Sequence, residues 1–446
     1  MQAPMTQCYD GFCLVWLEID GSRKNIMKKL IKQFLSESIF INSSYLLSGW
    51  ILLSVFGLVF WTICAHLYTD AQVGIATALL AALNLISSLS LMGFELSIIR
   101  VLPGHPDKSE LFNVCLSIAS VFGIIFSLLF MVILPHYHTD LHIIVSNLAT
   151  RFFFILFVLI AVADYMYSNT FVAYRKSKFT LRKNLIFSIG KLALPFMLIA
   201  FGAYGIMSAW MLSLGAAVIY SMVVLSRRFK HSLMPRLAIS PLRGMIRYSL
   251  GIYVASFAEG LPVIVLPILI INVYGPAKSA YYYIAMMFAT FLFTISTSAT
   301  QSLLAEASHN IKLTKIIKKV LGFLVFLLTP SIIFLIVVSP YILKIFGSTY
   351  SSEATGLLRI LAVASVLTAF NSIARTIFRI NYRTFPLTVV SFIGAVTIIS
   401  FTYFFRSYGL DGVGYAWFLG EAISLTCYGS LIFYDRKRLL PAIASS

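Results

Sequence analysis

Charged side chains are scarce in this sequence. Only 11% of the 446 residues are charged and 59% are hydrophobic, whereas soluble proteins carry about 25% charged residues. The shortage extends along the whole chain, and apolar segments of roughly 20 residues, long enough to cross a bilayer as helices, recur throughout it. The alternating pattern of a membrane β-barrel is absent. The composition therefore excludes a soluble protein and predicts an all-α polytopic membrane protein.

Other signals are missing as well. The five cysteines show no CxxC spacing, so no disulfide framework is indicated. There is no P-loop, nucleotide-binding fingerprint or catalytic triad. The segment PHYHTDLH contains His136, His138 and His142, but no carboxylate or cysteine set completes a metal site. We therefore expect no catalytic residue, no metal site and no cofactor.

Twelve membrane-spanning helices are predicted, with both termini in the cytoplasm. The predicted spans are 43–66, 73–98, 112–134, 152–174, 184–202, 204–226, 246–273, 278–304, 316–339, 355–377, 386–405 and 411–434. Cytoplasmic loops are enriched in Lys and Arg, and with the N-terminus inside about 28 of the 34 basic residues fall on the cytoplasmic side and about five on the outer side. This asymmetry accounts for the net charge of +18 without a nucleic-acid partner.

An internal repeat divides the chain into two halves. GAYGIMSAW ends at Trp210 and GLDGVGYAW ends at Trp417, 207 residues later. Because each half holds an even number of spans, the halves are expected to be parallel six-helix bundles related by a pseudo-twofold axis along the membrane normal. The expected domains are an extension that is disordered or follows a mis-assigned start (1–26), a basic amphipathic helix (27–42), the N-terminal bundle (43–228), a cytoplasmic linker (229–245), the C-terminal bundle (246–436) and a cytoplasmic tail (437–446).

Polar residues recur on one helical face in both halves. In the second and fourth spans this face includes Asn84, Glu95 and Asp164, and positions 204 to 206 residues later are also polar. Matching polar faces predict a water-filled cavity shared by the halves, although Ser and Thr also form helix–helix hydrogen bonds in membranes. Glu95 would then face water. The residues predicted to line the cavity are Thr77, Asn84, Ser88, Ser168, Thr290, Thr294, Gln301, Thr368 and Ser372.

Charged residues inside predicted spans are functional candidates, because they are costly in hydrocarbon. The carboxylates are Glu95, Asp164 and Glu259, and Glu421 is a further one for which a structural hydrogen bond is the favoured role. Lys191 lies on the span next to Asp164 and is a candidate partner for it. Pro262 and Pro267 follow Glu259 in the seventh span, and prolines inside a helix kink it.

Several segments together resemble polysaccharide biosynthesis flippases of the multidrug/oligosaccharidyl-lipid/polysaccharide exporter superfamily. They are SLMGFELSIIRVLPG, AYGIMSAW, DGVGYAW, YRKSKFTLRKNLIFSIGKL and YILKIFGSTYSSEATGLLRILAVASVL. The resemblance extends from about residue 36 to 436. It implies alternating access by a V-shaped pair of bundles and a substrate made of a sugar chain on a polyprenyl (di)phosphate. No strict catalytic signature exists to transfer, and the closest match is the end of the second span, with Gly93 and Arg100.

The resemblance also suggests roles for the intramembrane charges. A cationic cavity would lower the barrier for an anionic headgroup, since Arg pairs well with phosphate oxygens. The candidate headgroup ligands are Arg100, Lys191, Arg375 and Arg379, and the candidate coupling carboxylates are Glu95, Asp164 and Glu259. The expected partners are the lipid-linked oligosaccharide, membrane lipids and polysaccharide assembly enzymes, and the expected location is the plasma (cytoplasmic) membrane.

Two other functions compete with a flippase. A cation-coupled multidrug antiporter of the same superfamily needs an acidic cavity, whereas the deep charges here are mixed and the tenth span is basic. A membrane-integrated polysaccharide polymerase or ligase needs a sizeable outer loop with acidic or His catalytic groups, and the predicted outer loops are short. The sequence therefore favours a flippase.

Overall fold

The structure, a computed structural model, describes residues 38–136, 140–237, 245–307, 313–381 and 383–434. Within these ranges the chain forms thirteen α-helices and no strand, which confirms the all-α class. The predicted extension 1–26, the tail 437–446 and most of the predicted amphipathic helix 27–42 lie outside the described residues. The helices are α1 (Ser38–Leu67), α2 (Asp70–Leu91), α3 (Phe94–Val101), α4 (Lys108–Ile133), α5 (Leu148–Ala173), α6 (Lys178–Met197), α7 (Gly202–Phe229), α8 (Met245–Tyr274), α9 (Pro276–Ala307), α10 (Leu313–Lys344), α11 (Ser348–Ile380), α12 (Thr384–Phe404) and α13 (Gly409–Tyr434).

Eleven of the described helices are long and apolar enough to cross a membrane. The helix α6, which contains most of the predicted fifth span, is not among them, because Arg182, Lys183 and Lys191 interrupt its apolar stretch. It begins at Lys178, earlier than the predicted span. The helix α6 packs extensively against α1 and α7, and Lys183 and Lys191 are buried there, whereas Arg182 is exposed.

The predicted second span, 73–98, is broken near its C-terminal end. Met92 and Gly93 both adopt left-handed backbone conformations, with φ of 47° and 80°. Glycine adopts positive φ at little cost, and the break ends α2 at Leu91 and starts α3 at Phe94. Glu95 therefore lies in the first turn of α3, where the N-terminal end of a helix dipole stabilises a carboxylate. The continuous span 73–98 predicted from the sequence is wrong in this respect.

The same corner occurs in both halves, 207 residues apart. Gly202 and Gly409 have nearly equal dihedral angles, with φ of 54° and 60° and ψ of −132° and −141°. One turn into the next helix, a Cβ atom on Gly205 would lie 2.2 Å from the Leu198 carbonyl oxygen, and one on Gly412 would lie 2.3 Å from that of Phe405. Only glycine fits at these two positions, because any side chain would collide with the carbonyl oxygen of the corner.

A tyrosine hydroxyl braces each corner in the same way. The Tyr68 hydroxyl donates to the Pro195 carbonyl at 2.7 Å, and the Tyr274 hydroxyl donates to the Thr402 carbonyl at 3.4 Å. Each bond joins the end of the first long helix of one half to the helix that precedes the corner. The repeat seen in the sequence thus has matching local structures.

The described part of the predicted linker 229–245 packs on the N-terminal half. The Asn113 side chain donates to the Ser232 carbonyl at 2.6 Å, and the Arg236 amide donates to the Ser117 hydroxyl at 3.1 Å. His231 is buried and hydrogen-bonds the Tyr174 hydroxyl. Burial lowers the pKa of His231, which favours the neutral ring at neutral pH.

Consecutive long helices alternate in direction, so the molecule has two ends. We call one the arginine-rich end, which carries Arg100, Arg175, Arg228 and Arg379. The other is the opposite end, which carries Asp70, Pro276 and Ser348. The two halves meet mainly through α2, which packs against α8 and α9.

Candidate functional site

A cavity of about 590 Å³ opens within the N-terminal half, towards the arginine-rich end. It lies between α1, α2, α3, α5 and α6, and Ile264 of α8 closes one side. Its polar wall residues, several of which were predicted to share a cavity, are Asn84, Ser88, Glu95, Asp164, Ser168, Asn169, Thr180, Lys183 and Asn184. Asn84 is exposed to solvent, so the cavity wall is accessible to water.

The positive charge of this cavity is Lys183. Its ammonium forms an ion pair with Asp164, and the two side chains are 4% and 17% exposed. The pairing corrects the expectation that Lys191 is the partner of Asp164. Lys183 was assigned to a loop from the sequence because the start of the helix was placed at residue 184. A cation neutralised by a neighbouring carboxylate retains little attraction for a further anion.

Glu95 is the carboxylate without a cationic partner in the cavity. One of its oxygens, Oε2, is buried without a hydrogen-bond partner in the part of the chain that the structure describes. Neighbouring wall residues include Tyr165 and Ser88. A buried carboxylate oxygen without a hydrogen-bond partner carries a desolvation cost.

A second polar cluster lies in the C-terminal half at the arginine-rich end. The Arg379 Nη2 atom donates to both carboxylate oxygens of Glu259, at 2.7 and 2.9 Å. Arg375, one helical turn away on α11, donates to the Ser372 hydroxyl at 3.1 Å. Arg379 is 42% exposed and Glu259 is 20% exposed. This cluster therefore presents the Arg379 guanidinium to solvent, with the partly buried Arg375 beside it.

Lys191 lies away from both clusters. It is 1% exposed, and its ammonium lies over the Phe187 and Trp210 rings, 4.7 and 4.9 Å from their centroids. Gly57 of α1 also lies beside the ammonium, since a Cβ atom there would be 3.9 Å from Nζ, an ordinary contact distance. The expectation that Lys191 contacts a headgroup is not met in this conformation, because aromatic side chains enclose the ammonium.

The other predicted lining residues have different environments. Thr77, Thr368 and Ser372 are buried and do not line the cavity. Thr290 and Thr294 are exposed on α9, and their hydroxyls donate to carbonyls of that helix. The side chain of Gln301 lies outside the described residues. Arg100 is exposed at the end of α3 and is not among the cavity-lining residues.

Glu421 has a structural partner, as expected. The Asn371 amide donates to the Glu421 carbonyl at 2.8 Å and to its carboxylate at 2.6 Å. Both residues are buried, so this pair joins α11 to α13 inside the C-terminal half.

The two halves close against each other at the opposite end. The backbone contact there is so tight that a Cβ atom on Gly74 would lie 1.7 Å from the Pro276 carbonyl oxygen. Asp70 of α2 accepts hydrogen bonds from Tyr281 at 2.6 Å and Thr349 at 3.2 Å. No sequence signal identified Asp70 as a contact between halves, because its partners are more than 200 residues away.

Comparisons with known proteins match this architecture. The sequence profile of a family described as "polysaccharide biosynthesis protein" matches residues 39–259. No curated protein matches the chain. Solved structures that are similar include the lipid II flippase MurJ in an inward closed conformation, with a TM-score of 0.64, 13% identity and coverage of 89% of this chain and 87% of that one.

Two further structures belong to the MOP superfamily of transporters. One is a multidrug resistance MATE family transporter in an inward-facing conformation, with a TM-score of 0.62, 16% identity and coverage of 91% of this chain and 96% of that one. The other is a transporter from Pyrococcus furiosus whose binding pocket is described as reversed in polarity, with a TM-score of 0.60, 15% identity and coverage of 90% and 95%. At such identities these likenesses establish the fold. The chain thus has the fold of these transporters, and its residues 39–259 match the polysaccharide biosynthesis protein family.

Proposed function

We propose that the protein translocates an oligosaccharide linked to a polyprenyl (di)phosphate across the plasma membrane by alternating access, for surface polysaccharide or glycan synthesis. The observation that carries the proposal is the asymmetry between the two ends. Tight contacts between the halves close the opposite end, while polar side chains face solvent at the arginine-rich end. A closed end beside an accessible polar site is what one half-cycle of alternating access requires.

The proposed orientation places the arginine-rich end in the cytoplasm. The support is the distribution of Lys and Arg, which favours cytoplasmic loops. In this proposal α2 and α3 together form one interrupted span and α6 forms another, which gives twelve spans in two six-helix bundles. The matching corners at Gly202 and Gly409 support a pseudo-twofold relation between the bundles.

The proposed headgroup ligands are Arg375 and Arg379, with Arg100 as a further candidate near the membrane surface. Guanidinium groups one turn apart on α11 suit adjacent phosphate groups. We propose Glu95 as the coupling carboxylate, because Asp164 and Glu259 already have cationic partners. Glycan polymerising and transferring enzymes are the proposed functional partners on the far side.

A reconstitution experiment tests the proposal. A fluorescent lipid-linked oligosaccharide is placed in proteoliposomes, and the fraction that a membrane-impermeant quencher reaches is followed over time. The wild-type protein should increase that fraction, the double variant Arg375→Ala, Arg379→Ala should lose this activity, and Arg406→Ala should keep it. Arg406 is a matched control because it is an exposed arginine at the opposite end. Equal flipping by the double variant and the control would remove these arginines from the site.

The second candidate function is cation-coupled drug export. It is favoured by the carboxylates Glu95 and Asp164 in the larger cavity. The same proteoliposomes separate the two functions: a proton or sodium gradient that drives uptake of a cationic dye, with no movement of the lipid-linked sugar, would establish the antiporter and exclude the flippase. We favour the flippase because the cation Lys183 neutralises one of these carboxylates.

A further inference from the structure

The pair formed by Glu259 and Arg379 crosses from α8 to α11 beside a second arginine. Arg375 and Arg379 are one helical turn apart, so their side chains are neighbours on α11. In the described part of the chain, Glu259 is the one carboxylate that forms an ion pair with either of them. Glu259 therefore neutralises Arg379, while Arg375 beside it donates to the Ser372 hydroxyl.

The geometry of this pair leaves donors free for another anion. A single nitrogen of Arg379, Nη2, contacts both oxygens of Glu259. The two-nitrogen fork that makes arginine–carboxylate pairs strong is not formed. With Arg379 42% exposed, solvent also screens the attraction, and such half-exposed pairs contribute little stability. A competing anion with sufficient charge would therefore displace Glu259.

We propose that Glu259 is a specificity-determining residue that makes this site reject singly charged phospholipids and accept a diphosphate headgroup. This inference rests on the proposed function and extends it to substrate selection. A phosphodiester carries one charge and offers Arg379 no more than Glu259 already provides. A diphosphate carries a larger charge on two adjacent groups, so it bridges Arg375 and Arg379 and replaces the carboxylate.

The membrane explains why such discrimination matters. A site that opens sideways to lipid is surrounded by anionic phospholipids in large excess over any lipid-linked sugar. Bare arginines would hold those phospholipids, since Arg binds phosphate oxygens of either kind. Rejection by an internal competing charge is a known route to specificity. The pairing of Lys183 with Asp164 applies the same neutralisation to the cavity of the N-terminal half.

The test uses the full-length protein in detergent and native mass spectrometry. The probes are a polyprenyl diphosphate without sugar and phosphatidylglycerol, supplied together in equal amounts. The wild-type protein should retain the diphosphate over phosphatidylglycerol. In the Glu259→Gln variant the ratio of bound diphosphate to bound phosphatidylglycerol should fall about tenfold, because phosphatidylglycerol binding increases. Glu259→Asp should keep the preference, because it keeps the charge.

Controls separate this inference from the proposed function. Glu353→Gln removes a carboxylate that pairs with Lys278 at the opposite end and should leave the preference unchanged. Should Glu259→Gln fail to fold, as judged by gel filtration, Glu259→Ser removes the carboxylate with a different side chain. A wild-type preference that persists in the variants without the carboxylate would overturn the role of Glu259 alone. A wild-type protein with no preference for the diphosphate would overturn the proposed function as well.

Discussion

The two halves of the molecule agree in backbone and differ in buried charge. Gly202 and Gly409 turn the chain with nearly the same dihedral angles, and Tyr68 and Tyr274 brace those corners alike. The interiors differ. The cation of the N-terminal pair, Lys183, is 4% exposed, whereas the cation of the C-terminal pair, Arg379, is 42% exposed, and their partners Asp164 and Glu259 are similarly exposed, at 17% and 20%.

This contrast shows which features a repeated bundle must retain. The corners are set by close backbone contacts that exclude any side chain, so both copies need glycine there. Charges are set by their surroundings, and the ammonium of Lys183 is buried in a cavity wall whereas the guanidinium of Arg379 is half exposed. The same kind of ion pair is therefore expected to have a structural role in one half and a displaceable, ligand-binding role in the other.

The largest expected effect separates the two ion pairs. Asp164→Asn leaves the ammonium of Lys183, which is 4% exposed, without its counter-charge. Loss of one partner of a buried pair costs about 3–5 kcal/mol, so the free energy of unfolding in mixed micelles should fall by that amount. Glu259→Gln leaves a half-exposed arginine and should cost less than about 1 kcal/mol.

The control for this pair is the double variant Asp164→Asn, Lys183→Met, which removes both charges. It should recover most of the lost free energy of unfolding, because no unpaired charge remains in the interior. Equal destabilisation by Asp164→Asn and Glu259→Gln would show that the two pairs have the same role, contrary to the comparison made above.

Much of the N-terminal cavity could be predicted from helical periodicity, but its charge could not. Asn84 and Ser88 do line one wall, because residues four apart share a face, whereas Glu95 reaches the cavity from α3, beyond the break at Met92 and Gly93. Lys183 was missed because the start of α6 was placed six residues too late, and element boundaries are the least reliable part of such predictions.

The polar residues that the repeat predicts for the cavity wall in the C-terminal half do not all line it. Thr368 and Ser372 were matched to Asp164 and Ser168 through the repeat, yet both are buried. Periodicity fixes which residues share a helix face, but the helix that covers that face depends on tertiary packing. Similarly, the contact of Asp70 with Tyr281 joins residues 211 apart, a separation at which local patterns carry no information.

A smaller effect tests the equivalence of the corners. Gly205→Ala and Gly412→Ala each place a Cβ atom against a carbonyl oxygen at a distance no real contact allows, 2.2 and 2.3 Å. Both variants should lower the free energy of unfolding by about 1–3 kcal/mol, the usual range for overpacking. Gly429→Ala is the matched control, since nothing lies within 4 Å of its added carbon. Destabilisation by only one of Gly205→Ala and Gly412→Ala would show that the two corners are not equivalent.

The smallest effect concerns the charge that the repeat does not share. Ile398 lies 207 residues after Lys191, so the second half has an apolar residue where the first has an ammonium packed against Phe187 and Trp210. Lys191→Met should change the free energy of unfolding by less than about 1 kcal/mol, because apolar groups often replace buried charges at no net cost. Flipping should persist, since the ammonium lies outside the cavity. A loss of flipping in a folded Lys191→Met variant would show that the ammonium becomes accessible in another conformation, and it would return Lys191 to the set of headgroup ligands.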